Sequence, residues 1–416
     1  VADHWLNIRI CSGITVNDSS GQQISMTTGG SYTVVDDSTA GYTIVTPGTE
    51  ATLLKLKFTA TSENIDIRRV AFQLGTTASN TSLDLGGSQV TLWNGSVQIG
   101  TATFANNGDY ATSSAIAAGA FSVAPGASKT MTVKGTIAGI SSVTGPLTAS
   151  GDLFIIKYDG DSNGLANGNY GVGTAGGTNI SGTSGDVTPS GVRIFKSYPT
   201  FAKLSPSSTT LQTSSGYKLY RFSVMANNGD VALGKFTFTM GSSSVSATTS
   251  AYGLYSFTDS GFSSPDTAFS SDGLVNANKY INGLGVNADS TADAQRPIII
   301  EVYPDKASAT TTYKVPSGGT RYFELKATVS NLRTTTGSES VTVQLEGDAA
   351  FPANTEMTVA GTNLGATGVD IDANDDLIWS PISTTTSELI TDLDWTNGYL
   401  VPGLPTSNMD SVTHTF

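Results

Sequence analysis

Three features of the amino-acid sequence predict an all-β protein built as tandem β-sandwiches. Apolar and polar residues alternate through most of it, turn residues separate the alternating runs at sandwich-like spacing, and one long block occurs twice. Its 416 residues suffice for two or three domains, each with its own core. Hydrophobic residues make up 38% and recur in short runs such as LLKLKF, GDLFIIKY and RPIIIEVY, so the chain carries the apolar surface that folding needs. Charged residues are only 13%, about half the usual share, while Gly, Ser, Thr and Asn are over-used. The surface is therefore expected to be polar mainly through hydroxyls and amides.

Alternation justifies the individual strands. In LLKLKFTAT, Leu54, Leu56 and Phe58 point to one face and Lys55 and Lys57 to the other, as in a half-buried strand. KFTFTM (Lys235 to Met240), TMTVKGTI (Thr130 to Ile137) and SVTVQLEG (Ser340 to Gly347) follow the same rule. No window of a dozen residues carries a sustained helical stripe of apolar positions.

The duplication sets the domain plan. Leu53 to Gly75 aligns without a gap on Leu219 to Gly241 at an offset of 166, matching Leu56 to Phe222, Phe58 to Val224, Ile65 to Val231 and Phe72 to Phe238. A second block, Phe121 to Ile137, aligns on Tyr313 to Val329 at an offset of 192, and each copy there reads as strand, Pro- and Gly-containing turn, longer strand. VTLWNG (Val90 to Gly95) answers YGLYSF (Tyr252 to Phe257), and the run ending at Asp161 answers VQLEGD, ending at Asp348. The second copy therefore carries 26 more residues between the blocks, an insertion that a loop tolerates cheaply. A parallel β-helix would need a repeat of about 20–25 residues, and none is present. The expected fold class is all-β, with tandem immunoglobulin-like β-sandwich domains and extended N- and C-terminal arms. The boundaries are an N-terminal extension at 1–50, a first sandwich at 51–198, a homologous second sandwich at 199–350 and a C-terminal segment at 351–416.

The N-terminal extension holds an apolar alternating strand, HWLNIRICSGITV, with no counterpart before the second copy. Sandwiches expose sheet edges, and an edge takes up a spare strand through main-chain hydrogen bonds. Trp5, Leu6, Ile8, Ile10 and Ile14 are accordingly the candidate subunit-contact residues of a donor strand. The C-terminal segment, with its prolines and short runs, reads as an extended piece packed on another surface.

Two stretches carry a resemblance: EATLLKLKFTATSENIDIRRVAFQL, and the tail IWSPISTTTSELITDLDWTNGYLVPGLPTSNM with its core at Asp394 to Pro405. They resemble segments of large exported proteins of candidate phyla radiation bacteria. That resemblance covers about a quarter of the chain. It implies a cell-surface address and a surface-layer or appendage role, and it supplies no catalytic residue to carry over.

Chemistry is sparse. His4 and His414 are the only histidines, near opposite ends, and no nucleophile elbow, zinc helix motif or phosphate-binding glycine loop is present. Glu301 and Asp305 are the carboxylates that a glycosidase reading would use, but no enzyme activity is expected. In DGDSNGLANGNY, Asp159, Asp161 and Asn163 stand at alternate positions before Gly164, as in a calcium loop, yet the last position is Tyr170 where such a loop has Glu. A loose oxygen cage and a polar turn at a domain end are the two readings. Asp370, Asp372 and Asn374 form a second candidate set of metal ligands, so calcium is the one cofactor considered. Trp93, Tyr252 and Tyr255 lie on equivalent strands, which favours packing over a sugar site.

The net charge of −13 disfavours a nucleic-acid partner. Cys11 is the only cysteine, so no intrachain disulfide forms. No apolar stretch approaches the roughly 20 residues of a membrane span, and the start at Val1 fits removal of a targeting segment. The expectation is a self-assembling extracellular structural protein, a homopolymer forming a filament or surface layer by strand exchange. The alternative is an adhesin or carbohydrate-binding surface protein with a surface glycan as partner and the inserted loop, Ser256 to Gly283, as its binding surface.

Overall fold

Alternating side chains place one face of each strand against a core, and the computed structural model shows how those faces are paired. It describes residues 15–17, 23–25, 29–39, 41–75, 80–105, 108–140, 150–164, 168–182, 184–243, 247–276, 298–304, 312–332, 339–351, 375–383, 394–404 and 408–416. The chain divides into two units, Val1–Ile194 and Phe195–Phe416.

The first unit opens with a hairpin of Thr15–Asn17 (β1) and Gln23–Ser25 (β2), whose strands pair antiparallel with each other. Then come Ser31–Asp36 (β3), Thr43–Val45 (β4), Glu50–Thr61 (β5), Ile65–Arg69 (β6), Ala71–Leu74 (β7), Gln89–Asn94 (β8) and Val97–Thr103 (β9). Tyr110–Thr112 (β10), Ser122–Val123 (β11), Ser128–Thr136 (β12), Asp152–Phe154 (β13), Ile156–Tyr158 (β14), Tyr170–Gly173 (β15), Asn179–Ile180 (β16) and Val192–Ile194 (β17) complete it. One layer is a sheet in the order β3-β5-β12-β8-β9. The facing layer consists of three shorter sheets, β10-β7-β14, β11-β6-β15-β16 and β13-β17-β4. Leu54, Leu56 and Phe58 are buried between the layers, and Phe58 meets Phe121 edge-on at 5.4 Å.

The second unit runs through Tyr198–Leu204 (β18), Ser214–Asn227 (β19), Val231–Ser242 (β20), Thr248–Phe257 (β21), Ile298–Val302 (β22) and Tyr313–Val315 (β23). Thr320–Ser330 (β24), Ser340–Leu345 (β25), Leu377–Ser380 (β26), Thr396–Asn397 (β27) and Val412–Thr415 (β28) follow. One sheet has the order β18-β19-β24-β21, and the other contains β20-β25-β28. These are the A-B-E-D and C-F-G sheets of a constant-type immunoglobulin sandwich. The C strand, β20, also pairs with β22, β23 and β26. Phe222 of β19 stacks on Phe323 of β24 at 5.0 Å, and both rings meet Phe236 of β20 across the core at 5.5 Å.

Pairing register ties the two copies together. Leu56 faces Met131 as Phe222 faces Phe323, and Ile65 faces Val123 as Val231 faces Val315. Phe72 faces Tyr158 as Phe238 faces Leu345. Both sequence offsets are thus kept in the hydrogen-bonded registers, which a one-residue slip would reverse face by face. Each unit is an all-β sandwich of immunoglobulin type.

Strand pairing draws the boundaries differently from the alignment. β3 pairs with β5 along its length, with Tyr32 and Val34 buried, and β4 runs parallel to β17, so described residues from Ser31 onward belong to the first sandwich. At the other end β26, β27 and β28 lie in the second sandwich's larger sheet. Both sets are short strands in loop-like composition, and their pairing partners are distant in sequence. Trp5, Leu6, Ile8, Ile10, Ile14 and Cys11 lie outside the described residues.

Phe222 has four aromatic neighbours and no exposure. Phe222→Ala is expected to destabilise the second unit by ~3–5 kcal/mol, read as a lower denaturant midpoint for exchange of its core amides while those of the first unit keep theirs.

Candidate functional site

The loop after β14 closes on itself. Asp159 accepts the Ser162 N–H at 3.2 Å, and the Asn163 side chain turns back to donate to the Gly160 carbonyl at 2.7 Å. Asn169 braces the loop from inside, donating to the carbonyls of Asp159 and Ser162 while accepting the Ala71 N–H at 2.7 Å. Asp161 is exposed, and Asp159 is buried enough that its carboxyl titrates above the usual range, through burial first and then the charges of Asp186 and Asp161. Asp159, Asp161 and Asn163 thus share one turn, but two of the three are engaged by the turn's own hydrogen bonds. Among the described residues no group of three or more His, Cys, Asp or Glu is placed to hold a metal ion. Asp370, Asp372 and Asn374 lie outside the described residues.

The tail forms a clasp on the second sandwich. Asp394 accepts from the Ser380 hydroxyl at 2.8 Å and the Ser383 N–H at 3.2 Å. The Trp379 indole N–H donates to the Asn397 carbonyl at 2.7 Å, while the Asn397 side chain donates to Ala350 at 2.8 Å. The Trp395 ring lies over Gly234, where an added Cβ would meet it at 2.8 Å. Further on, Pro402 accepts the Phe201 N–H at 2.8 Å and so covers the edge of β18. Gly403 has φ +87°, and a Cβ there would run into the Phe201 carbonyl. Asp394, Trp395, Asn397, Pro402 and Gly403 of the motif thereby each have a contact within their own unit.

Two buried ionisable groups lock this clasp. Asp348 has no solvent exposure and accepts N–H groups from Asp376 at 2.9 Å and Gly398 at 2.6 Å. Burial pushes its carboxyl up to about 6, against the pull of those N–H donors. His414 of β28 is also fully buried, with Nε2 at 2.7 Å from the Leu219 carbonyl and Nδ1 at 2.9 Å from the Tyr217 hydroxyl. A carbonyl only accepts, so Nε2 carries a proton, while the Tyr217 hydroxyl is within reach of both Nδ1 and, at 3.0 Å, the Thr210 carbonyl. Burial lowers the imidazole's pKa, which favours the neutral ring in the folded state.

Three further buried carboxylates of the second unit are paired with cations. Lys235 of β20 is 1% exposed and lies 2.9 Å from Glu301 of β22 and 3.1 Å from Asp375, just before β26. Glu324 is held by Arg221 at 2.6 Å and Lys326 at 3.2 Å. Asp266 takes Arg321 at 2.7 Å and the Tyr313 hydroxyl at 2.5 Å. Glu301, the carboxylate singled out for a glycosidase, is therefore buried against a lysine, and Asp305 lies outside the described residues. Lys235 has no sequence signal as an interior residue, since its position alternates like a solvent-facing one.

The aromatic candidates pack. Lys134 sits over the Trp93 ring at 4.4 Å and Lys326 over Tyr255 at 4.2 Å, the same cation–π contact in both copies. Tyr252 is buried and bonded to Thr249 at 2.6 Å. The described part of the inserted loop folds back along β21, with Val275 N–H on Leu254 and Ser256 N–H on Gly273, which closes that sheet edge.

No protein-family model matches the chain, and no curated protein matches it. Among solved structures it is similar to the C-terminal domain of the antigen I/II-family protein AspA of Streptococcus pyogenes, at 10% identity over 76% of this chain and 94% of that one, TM-score 0.18. The major pilin subunit BcpA of Bacillus cereus is matched at 7% identity over 80% and 66%, TM-score 0.19. The MSCRAMM ACE of Enterococcus faecalis, described as binding its ligands by a collagen hug, is matched at 11% identity over 75% and 87%, TM-score 0.15.

Gly403→Ala is expected to cost ~1–3 kcal/mol through strain at positive φ and to loosen the tail, read as faster amide exchange at Phe201. The sign of the pH effect follows from His414, whose folded pKa lies below its unfolded value of 6.5. Its stabilisation is present above that value and lost as pH falls through the folded pKa. On acidification from about pH 7.5 to about pH 5 this contribution is lost while that of Asp348, raised to about 6, improves, so the melting penalty of His414→Phe should be ~1–3 kcal/mol at the higher pH and shrink at the lower one.

Proposed function

We propose that the protein is a structural subunit of an exported cell-surface assembly, in which the N-terminal segment of one copy adds to a sheet edge of the next. The observation that carries this reading is the hairpin β1-β2, whose strands pair with each other and with no strand of either sandwich among the described residues. An isolated two-stranded hairpin is marginal in water, and the apolar run HWLNIRI immediately precedes it.

The second sandwich supports the reading by contrast, because its own chain covers its edges. Pro402 lines β18, the inserted loop lines β21, and Leu211 and Thr415 are joined across the end of β28. In the first sandwich, β9 ends its sheet, and although Ser113 and Ser114 bond its outer edge at Ala102 and Thr101, its other end carries Val97, 61% exposed, which suits an incoming strand. A donor strand of this kind makes a head-to-tail contact, which propagates as a filament when the rotation does not close. The resemblance of the tail and of the first repeat to exported surface proteins supports the cell exterior as its place. No helix among the described residues is long and apolar enough to cross a membrane.

Deleting residues 1–28 tests the proposal. Sedimentation and negative-stain electron microscopy should show ordered polymers of the full chain and folded monomers of the shortened one. Equal polymerisation of both would sink strand exchange, and scattered monomers of the full chain on cell surfaces would favour the adhesin alternative.

A further inference from the structure

The tail clasp holds oxygen atoms that its own hydrogen bonds leave over. Asp394 uses Oδ1 twice, accepting the Ser380 hydroxyl at 2.8 Å and the Ser383 N–H at 3.2 Å. Its other oxygen, Oδ2, is shielded from solvent and has no hydrogen-bond partner among the described residues. The same is true of Oγ of Ser383 and of Oγ1 of Thr396, a residue only 5% exposed. Asp394 also has no ion-pair partner among the described residues, whereas Glu301, Glu324 and Asp266 each meet a cation and Asp348 meets N–H donors. A carboxylate oxygen that is neither hydrated nor paired is costly, and each unpaired hydroxyl adds to that cost.

The three oxygens belong to one neighbourhood. The bond from the Ser383 N–H to Oδ1 holds that residue against the carboxylate. Thr396 opens β27 two residues beyond Asp394, and alternation turns their side chains to one side of the run while Trp395, between them, turns to the other, over Gly234. Thr396 stands opposite Trp379 of β26, whose buried ring packs on Phe195 at 5.0 Å. The turn that presents Ser383 is itself unfavourable, since Ile382 is β-branched and has φ +49°.

We infer that Asp394, Ser383 and Thr396 form a site for a hard cation of calcium's class. The donor set decides the class. All three donors are oxygens, with no thiolate or imidazole among them, which disfavours zinc and copper. One of them carries the negative charge that a cation would answer, whereas a water molecule would satisfy the hydroxyls and leave that charge uncompensated. Calcium accepts irregular sets of about six to eight oxygens completed by carbonyls and water, while magnesium demands a near-ideal octahedron. A set with a single carboxylate belongs with the weak sites of extracellular modules, at roughly 0.1–1 mM. Because hydroxyls supply two of the three ligands, no acidic cluster marks the place in the sequence. Bound there, the cation ties the segment leaving β26 to β27 and stiffens the clasp, independently of how copies assemble.

Terbium, a luminescent stand-in for calcium, tests this on the full chain, because Trp395 lies between two of the ligands in sequence and Trp379 lies opposite Thr396. Excitation of tryptophan should produce terbium emission that calcium displaces at roughly millimolar concentration, and calcium should raise the melting temperature of the wild-type chain. Asp394→Asn keeps an acceptor for Ser380 and Ser383 but removes the charge, and should weaken calcium about tenfold or more. Thr396→Val keeps the shape and removes the hydroxyl, so it should melt no lower than wild type in chelator and lose the rise with calcium. A wild-type chain with neither terbium emission nor a melting response to calcium overturns the inference, since the oxygens are then merely hydrated. So does a response of undiminished size in both variants, which would put the ion elsewhere. If Asp394→Asn does not fold, Thr396→Val decides alone.

Discussion

Strand β20 is buried along almost its whole length, and it has no free edge in its sheet. That is the constraint from which the second unit follows. A buried backbone N–H or carbonyl without a partner costs on the order of a lost hydrogen bond, so both edges of these twelve residues must be paired. β25 serves one edge near Met240, and β22, β23 and β26 supply the rest from segments far apart in sequence. The long passage before β26 is therefore not a decoration of a finished sandwich. It delivers a strand that β20 needs.

The same strand explains where charge enters the interior. Lys235 alternates correctly for a solvent-facing position, and in a bare sandwich it would be one. Adding β22 and β26 alongside covers it, and each of those segments brings a carboxylate to meet the ammonium. Glu324 and Asp266 repeat the logic where the inserted loop lies over the first sheet, with Phe262 stacked against Arg221 at 3.9 Å. In a protein with so few charged residues, burial of these particular ones follows from the segments packed beside them.

The tail motif changes meaning in the same way. As sequence, Asp394 to Pro405 reads as an extended arm carrying a resemblance. As structure, Trp395, Asn397, Gly398 and Gly403 are each required by a contact within the unit: a ring over Gly234, a carbonyl for Trp379, an N–H for Asp348, and a backbone turned beside Phe201. The loop at Asp159 behaves likewise, because Asn169, which is not among the candidate ligands of the calcium-like pattern, is what organises it.

Sequence by itself determined the strand periodicity, the duplication and its two offsets, because side-chain alternation and turn chemistry are local and a register slip would expose every inward residue. It even paired Leu56 with Phe222 and Trp93 with Tyr255 as equivalent positions, and the registers and cation–π contacts agree. Only tertiary structure decided that β3, β26 and β28 belong to the sandwiches, that His414 is a buried neutral lock, and that Lys235 meets two carboxylates. Those outcomes depend on which distant segment satisfies which open edge. That choice is set by the summed pairing of backbone groups and burial of side chains, and no short window of sequence contains it.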